Sequence, residues 1–297
     1  MRFLKTNMFK ILIVIFIYVS LIFTGCSTSP DFTEKNYPGI LASEGRILIY
    51  FNLEKDNLLI NNFLSLYSGD DFSVLIDRTE RVSVSIDSFG NDSEFYILAE
   101  GKFPRFFTNL AIGREEGWVK HKGIYTFWKN EINGLYASVP LNSVAIISNN
   151  DIGLDLEYFE SGKRNYIPDI IKEEFENSAL TIYSHLPGPG IYKSLNISSE
   201  KMFIQDIFFA VRKNGNNYSI FGEFEFLNEK DAKIFSTVLK LGLLMNLRTT
   251  GRNSIMKIIN YGQINAVNNR IIIDNISLNS NEILDLLAGD RVITQEK

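Results

Sequence analysis

The chain has 297 residues, 45% of them apolar, and a formal net charge of −5. That apolar content, with 23 Phe and 13 Tyr, is ample for a packed core and far above what a disordered chain carries. The acidic balance argues against nucleic acid as a partner, and two histidines with one cysteine argue against a zinc site, other metal centres and a disulfide framework.

In chain order, residues 1–25 read as an export leader. Arg2, Lys5 and Lys10 supply a basic start, Ile11 to Phe23 is an uninterrupted run of low polarity, and the small Gly25 precedes Cys26. The run spans roughly 20 Å as a helix, short of the ~30 Å hydrocarbon core, so a cleaved signal is expected in place of a spanning anchor. Loss of the leader removes three positive charges and no negative ones, which takes the mature body from −5 to −8.

Through Phe23-Thr24-Gly25-Cys26 the chain resembles the bacterial lipoprotein family. The resemblance covers the leader alone, leaves the body without a family, and departs from the usual box in having Phe23 where leucine is commonest. It implies cleavage between Gly25 and Cys26 and a lipid, including palmitate, on the Cys26 thiol. Ser27 in place of Asp after the cysteine implies passage to the outer membrane, with the periplasmic or surface face left open.

Residues 26–44 form the lipidated cysteine and a proline- and hydroxyl-rich stretch that reads as a flexible tether. Residues 45–154 then give a strand at Arg46 to Leu53, a helix capped by Asp56 and running to Tyr67, and a strand at Arg81 to Ser88 with Val82, Val84 and Ile86 inward. A turn at Gly90-Asn91-Asp92 leads to a hairpin partner, Glu94 to Glu100, and a helix with Pro104 in its first turn follows. Strands are expected near 123–129, 134–139 and 144–148. Residues 155–177 are charged and read as a linker.

Residues 178–297 replay this order. Leu180 to Leu186 echoes Leu48 to Leu53, Asp206 to Lys213 and Tyr218 to Leu227 form a hairpin, and a helix runs from Asn228 to Leu247. The implied fold is α+β, with two tandem related units, each an antiparallel sheet with helices on one face in a split-βαβ arrangement.

Chemistry-bearing motifs are few. His121 lies between two lysines as a solvated strand end would, and His185 ends an apolar strand before Pro187-Gly188-Pro189-Gly190. Ser198-Ser199-Glu200-Lys201 has SxxK spacing without its companion elements and reads as a helix start. Two features point outward. Trp118, Lys120, His121, Lys122, Tyr125, Phe127 and Trp128 crowd one short segment that suits glycan, peptide or partner binding when exposed and a doubly covered strand when not. The helix at 230–247 is apolar around most of its girth, which suits burial at the junction of the halves or contact with lipid or a partner. The expectation is a membrane-tethered envelope lipoprotein that binds or builds and does not catalyse, with no cofactor. Its partner is an envelope protein or an external ligand. The alternatives are a carrier with an apolar cavity beneath helix 230–247, or an envelope hydrolase with an unrecognised site.

Overall fold

The computed structural model describes residues 38–59, 78–88, 93–153, 156, 166–194 and 203–288. The leader with Cys26, the turn at residues 90–92, the helix beyond Leu59 and the Ser198 to Lys201 segment lie outside them.

Among the described residues, twelve strands form one antiparallel sheet: β1 (Ile47–Asn52), β2 (Thr79–Ile86), β3 (Phe95–Gly101), β4 (Trp118–Lys122), β5 (Thr126–Asn130), β6 (Tyr136–Leu141), β7 (Val144–Ser148), β8 (Leu180–His185), β9 (Ile204–Asn214), β10 (Asn217–Phe226), β11 (Gln263–Val267) and β12 (Arg270–Asn279). The helices are α1 (Pro38–Leu41), α2 (Arg105–Ile112), α3 (Asp169–Asn177), α4 (Pro189–Ser194), α5 (Glu229–Thr250), α6 (Asn253–Tyr261) and α7 (Ser280–Ala288). The order across the sheet is β11-β12-β10-β9-β8-β1-β2-β3-β7-β6-β5-β4.

Helices with an antiparallel sheet are the α+β class read from the sequence, with two differences in the arrangement. A split-βαβ unit joins two parallel strands by a crossover helix and seats a third strand between them, whereas here β1, β2 and β3 are direct neighbours in succession and so are β8, β9 and β10. The strands of both halves also join in one sheet, because β1 pairs with β8 from Leu48↔Tyr183 to Phe51↔Leu180.

Helices cover both faces of this sheet, not one. Ile47 belongs to a core cluster that includes Phe235 of α5, Ile258 of α6 and Ile283 of α7, while its neighbour Leu48 belongs to a second cluster with Leu41 of α1 and Ile171 and Phe175 of α3. Successive residues of a strand point to opposite faces, so the run Ile47 to Tyr50 is apolar because both sides are covered. The same geometry inverts the expectation for β2. Thr79, Arg81, Ser83 and Ser85 are its buried side chains, and Val82, Val84 and Ile86 are half-buried on the other face.

Two loop readings change as well. Residues 38–42 leave the tether: Pro38–Leu41 make a helical turn, and Leu41 and Ala42 join the core. Within the stretch read as a linker, α3 is docked on the sheet. Glu174 accepts hydrogen bonds from Arg212 Nε of β9 at 2.9 Å and from Ser178 Oγ at 2.7 Å. Burial alone would raise the Glu174 carboxyl, but these donors overcome it and hold the group below the usual carboxylate range.

Candidate binding surfaces

The aromatic and cationic segment is a hairpin, not one strand. β4 and β5 form the far edge of the sheet, with Lys120 opposite Trp128 and His121 opposite Phe127. A single strand was expected because the segment is bulky throughout and only Gly123 marks its turn. Pairing opposite residues on a common face divides the set. Trp118, Lys120, Lys122 and Trp128 fall on the α2 side, while His121 and Phe127 fall on the other. His121 is half-buried and stacked on Phe127 with ring centroids 5.2 Å apart, in place of the solvated end expected for it. Tyr125 sits in the turn, with the Arg105 guanidinium 5.7 Å from its ring centre.

On the α2 side the hairpin and helix enclose a groove of about 520 Å3, lined by Arg105, Phe106, Leu110, Arg114, Lys120 and Trp128 among others. Its floor is fixed. Trp128 Nε1 donates to Asn109 Oδ1 at 3.1 Å, and Asn109 Nδ2 donates to the Arg105 carbonyl at 2.8 Å. Gly113 closes on the same indole so tightly that a Cβ there would lie 2.3 Å from Trp128 Cη2. The two arginines were not singled out by the sequence, since they belong to α2 and its C-terminal turn and meet Lys120 only through the fold.

The long helix α5 lies away from the junction of the halves and leaves one side exposed. It starts at Asn228, whose side chain accepts from the Asp231 N–H at 2.9 Å, and it packs on β10, β11, β12 and α6 at the opposite end of the sheet from the hairpin. It is therefore remote from the β1/β8 junction where the halves meet. Phe235, Leu239 and Leu243 face the core. Ile234, Val238, Leu241, Leu244 and Met245 face outward, with Leu241 55% and Met245 67% exposed. Beneath this helix lies a cleft of about 440 Å3, lined by Leu243, Leu244, Ile258 and Ile264 and also by Lys240, Gln263 and Asn265.

His185, at the end of β8, borders a third cavity of about 410 Å3 with Glu44, Arg46, Tyr166 and Asp206. Its Nδ1 is 3.0 Å from Asp206 Oδ1, which also accepts from the Tyr183 hydroxyl at 3.2 Å. The hydroxyl of Ser184 is committed to the Arg46 carbonyl at 2.6 Å and serves the β1/β8 junction. No group of three or more metal-ligating side chains occurs among the described residues.

With this geometry in view, comparison with known proteins separates leader from body. The sequence model of the family described as outer membrane-associated lipoprotein TP0453 matches residues 35–173. The body resembles an outer membrane-associated lipoprotein. It thus has a family match that the sequence alone had not supplied. The outer membrane protein TP0453 of Treponema pallidum (strain Nichols) is 24% identical over 195 residues, 61% of this chain and 67% of that protein. Crystal forms III and IV of TP0453 share the fold at 18% identity with TM-scores of 0.57 and 0.60, covering 84% and 86% of this chain and 96% and 98% of theirs. By description the matched family is an outer membrane-associated lipoprotein and the relative an outer membrane protein, the location that the leader implies for this chain. No helix among the described residues is long and apolar enough to cross a membrane.

Proposed function

We propose that this chain is a lipid-anchored outer-membrane lipoprotein that acts by binding, with its body resting on the bilayer surface through the outward face of α5. The observation that carries the reading is that face itself. Ile234, Val238, Leu241 and Met245 recur every three or four residues and form one solvent-facing apolar stripe, continued by Leu244. Stripes of this kind on a charged body mark membrane or partner contacts.

The bilayer is the favoured occupant because of the anchor. Lipid on Cys26 leaves residues 27–37 before the first described helix, a reach of at most about 40 Å, so the body is confined near the surface. With the body held within reach of the lipid surface, an apolar face there meets the bilayer at high effective concentration and fixes the orientation of the tethered body. The carrier alternative is weaker, since the cleft beneath α5 has Lys240, Gln263 and Asn265 in its wall. Catalysis is weaker still, since the hydroxyl nearest His185 in sequence is already committed to a backbone carbonyl.

The test uses the mature chain with Cys26→Ala, so that no acyl chain contributes. It is expected to sediment with phosphatidylcholine vesicles, and Leu241→Lys with Met245→Lys is expected to weaken that binding at least tenfold while leaving the melting temperature unchanged. Equal sedimentation of both proteins would overturn the bilayer contact. Palmitate labelling of the native chain, lost in Cys26→Ala, checks the anchor separately.

A further inference from the structure

Among the described residues, the groove between α2 and the β4–β5 hairpin is lined by three cations and no carboxylate. Arg105, Arg114 and Lys120 all line it, and the remaining lining residues, Phe106, Asn109, Leu110, Gly113, Thr126, Trp128 and Asn142, include no carboxylate. None of the three cations is ion-paired with a carboxylate among the described residues. Glu115 and Glu116 follow Arg114 in the turn and do not line the groove. In a body of charge −8 this is a local reversal of sign, and three like charges around one concavity repel each other unless an anion joins them.

The polar contacts within the groove leave those charges available. Among the described residues, the Arg105 and Lys120 side chains make ring contacts alone, at 5.7 Å from the centres of Tyr125 and Trp128 respectively. Asn142 Oδ1 is used on the Arg105 N–H at 3.0 Å, and Asn109 Oδ1 on the Trp128 indole. The floor is rigid, since the indole is pinned by that bond and by Gly113. Beside the cations, Phe106 is 72% exposed and Leu110 42% exposed on the rim.

We propose that this groove binds a phosphate-bearing ligand that carries an apolar portion, with Arg105, Arg114 and Lys120 on the phosphate and Trp128, Phe106 and Leu110 on the apolar part. Two guanidinium forks and an ammonium suit a tetrahedral oxyanion, for which arginine offers paired donors in a fixed plane. The same chemistry is presented by a soluble phosphoester and by a phospholipid headgroup. The site is independent of the α5 contact, which lies at the other end of the sheet.

The experiment titrates the mature Cys26→Ala chain with glycerol 3-phosphate and dihexanoyl phosphatidic acid, and separately with phosphatidylcholine vesicles with and without one-fifth phosphatidylglycerol. The expected result is saturable binding of a soluble phosphoester, or a preference for the anionic vesicles. Either should fall at least tenfold in Arg105→Gln with Arg114→Gln, fall in Lys120→Gln, and weaken as salt is raised. Soluble binding identifies a free phosphoester as a sufficient ligand, and vesicle preference alone identifies the headgroup. These exposed substitutions should leave the melting temperature within about 2 °C, and Leu241→Lys with Met245→Lys should leave phosphoester binding unchanged. Absence of both signals, or binding indifferent to the charge-neutral variants, overturns the proposal.

Discussion

Glu100 is the residue most at odds with its surroundings. It sits on β3 opposite Arg81 of β2, only 2% exposed, with Oε1 buried and without a hydrogen-bond partner. Arg81 is shared with carboxylates at 3.2 Å (Glu176) and 3.6 Å (Glu54). Burial therefore dominates: it pushes the Glu100 carboxyl up to about 8, against the pull of Arg81 and with the help of Glu176 and Glu80. A carboxyl raised on folding contributes its stability fully below the unfolded pKa, near 4.5, and loses it as pH rises through about 8. Glu100→Gln, which stays neutral, should therefore gain on the native protein between pH 5 and pH 9 by on the order of 3 kcal/mol. Urea denaturation of both proteins at the two pH values measures this. A difference that stays constant with pH would show that Glu100 does not hold its proton in the folded state.

At the scale of elements, helix α3 shows what the sequence does and does not disclose. Its apolar residues Ile171 and Phe175 lie four apart, yet the charges around them made the stretch read as a linker. Only the fold brings Arg212 of β9 to Glu174. Glu174→Gln should destabilise the protein by about 2 kcal/mol, because hydrogen bonds to a charged group are worth more than neutral ones. Denaturant titration near neutral pH checks it, and a cost near zero would mean that apolar packing alone docks α3. The strands β1, β2, β3, β8, β9 and β10 were legible because β-branched and aromatic runs there alternate with turn residues. The hairpin of β11 and β12 was missed although Asn268-Asn269 is a turn signal, with Asn268 at φ 55°. The face of α5 could not be read, since Leu239, Leu243 and Leu244 surround its axis and periodicity cannot choose among apolar sides. The cationic groove was half legible: Lys120 and Trp128 stood out in one segment, and the arginines that complete it are supplied by another.

For the whole molecule, the succession of elements raises the question of how the halves relate. In the first, β1, β2 and β3 are followed by helix α2 and later by the β6–β7 hairpin, whose second strand returns beside β3. In the second, β8, β9 and β10 are followed by α5 and α6 and then by the β11–β12 hairpin, whose second strand returns beside β10. We propose that the halves are copies of one ancestral unit, to which the first copy added the β4–β5 edge; the matching strand order on either side of β1 and β8 supports this. Common descent does not make them separate folding units. One core cluster joins Ile47 and Leu59 to Phe224 and Phe235, and the other joins Tyr50, Leu98 and Ile146 to Tyr183 and Phe208. Backbone bonds also cross the seam, from Asn52 N to Ala179 O at 3.0 Å and from Gly45 N to Leu186 O at 3.0 Å. Unfolding either half strips a face from the other, so loss of structure should be cooperative. Both tryptophans, Trp118 and Trp128, lie in the first half, so their fluorescence reports that half while far-ultraviolet circular dichroism reports the whole. The two denaturation curves should coincide. Gly188→Ala should move both to lower denaturant together, because a Cβ there would lie 2.6 Å from the Gly45 carbonyl oxygen and force the seam apart. A fluorescence transition that separates from the circular dichroism, or a Gly188→Ala effect confined to one of them, would mean that the seam joins two units that fold independently.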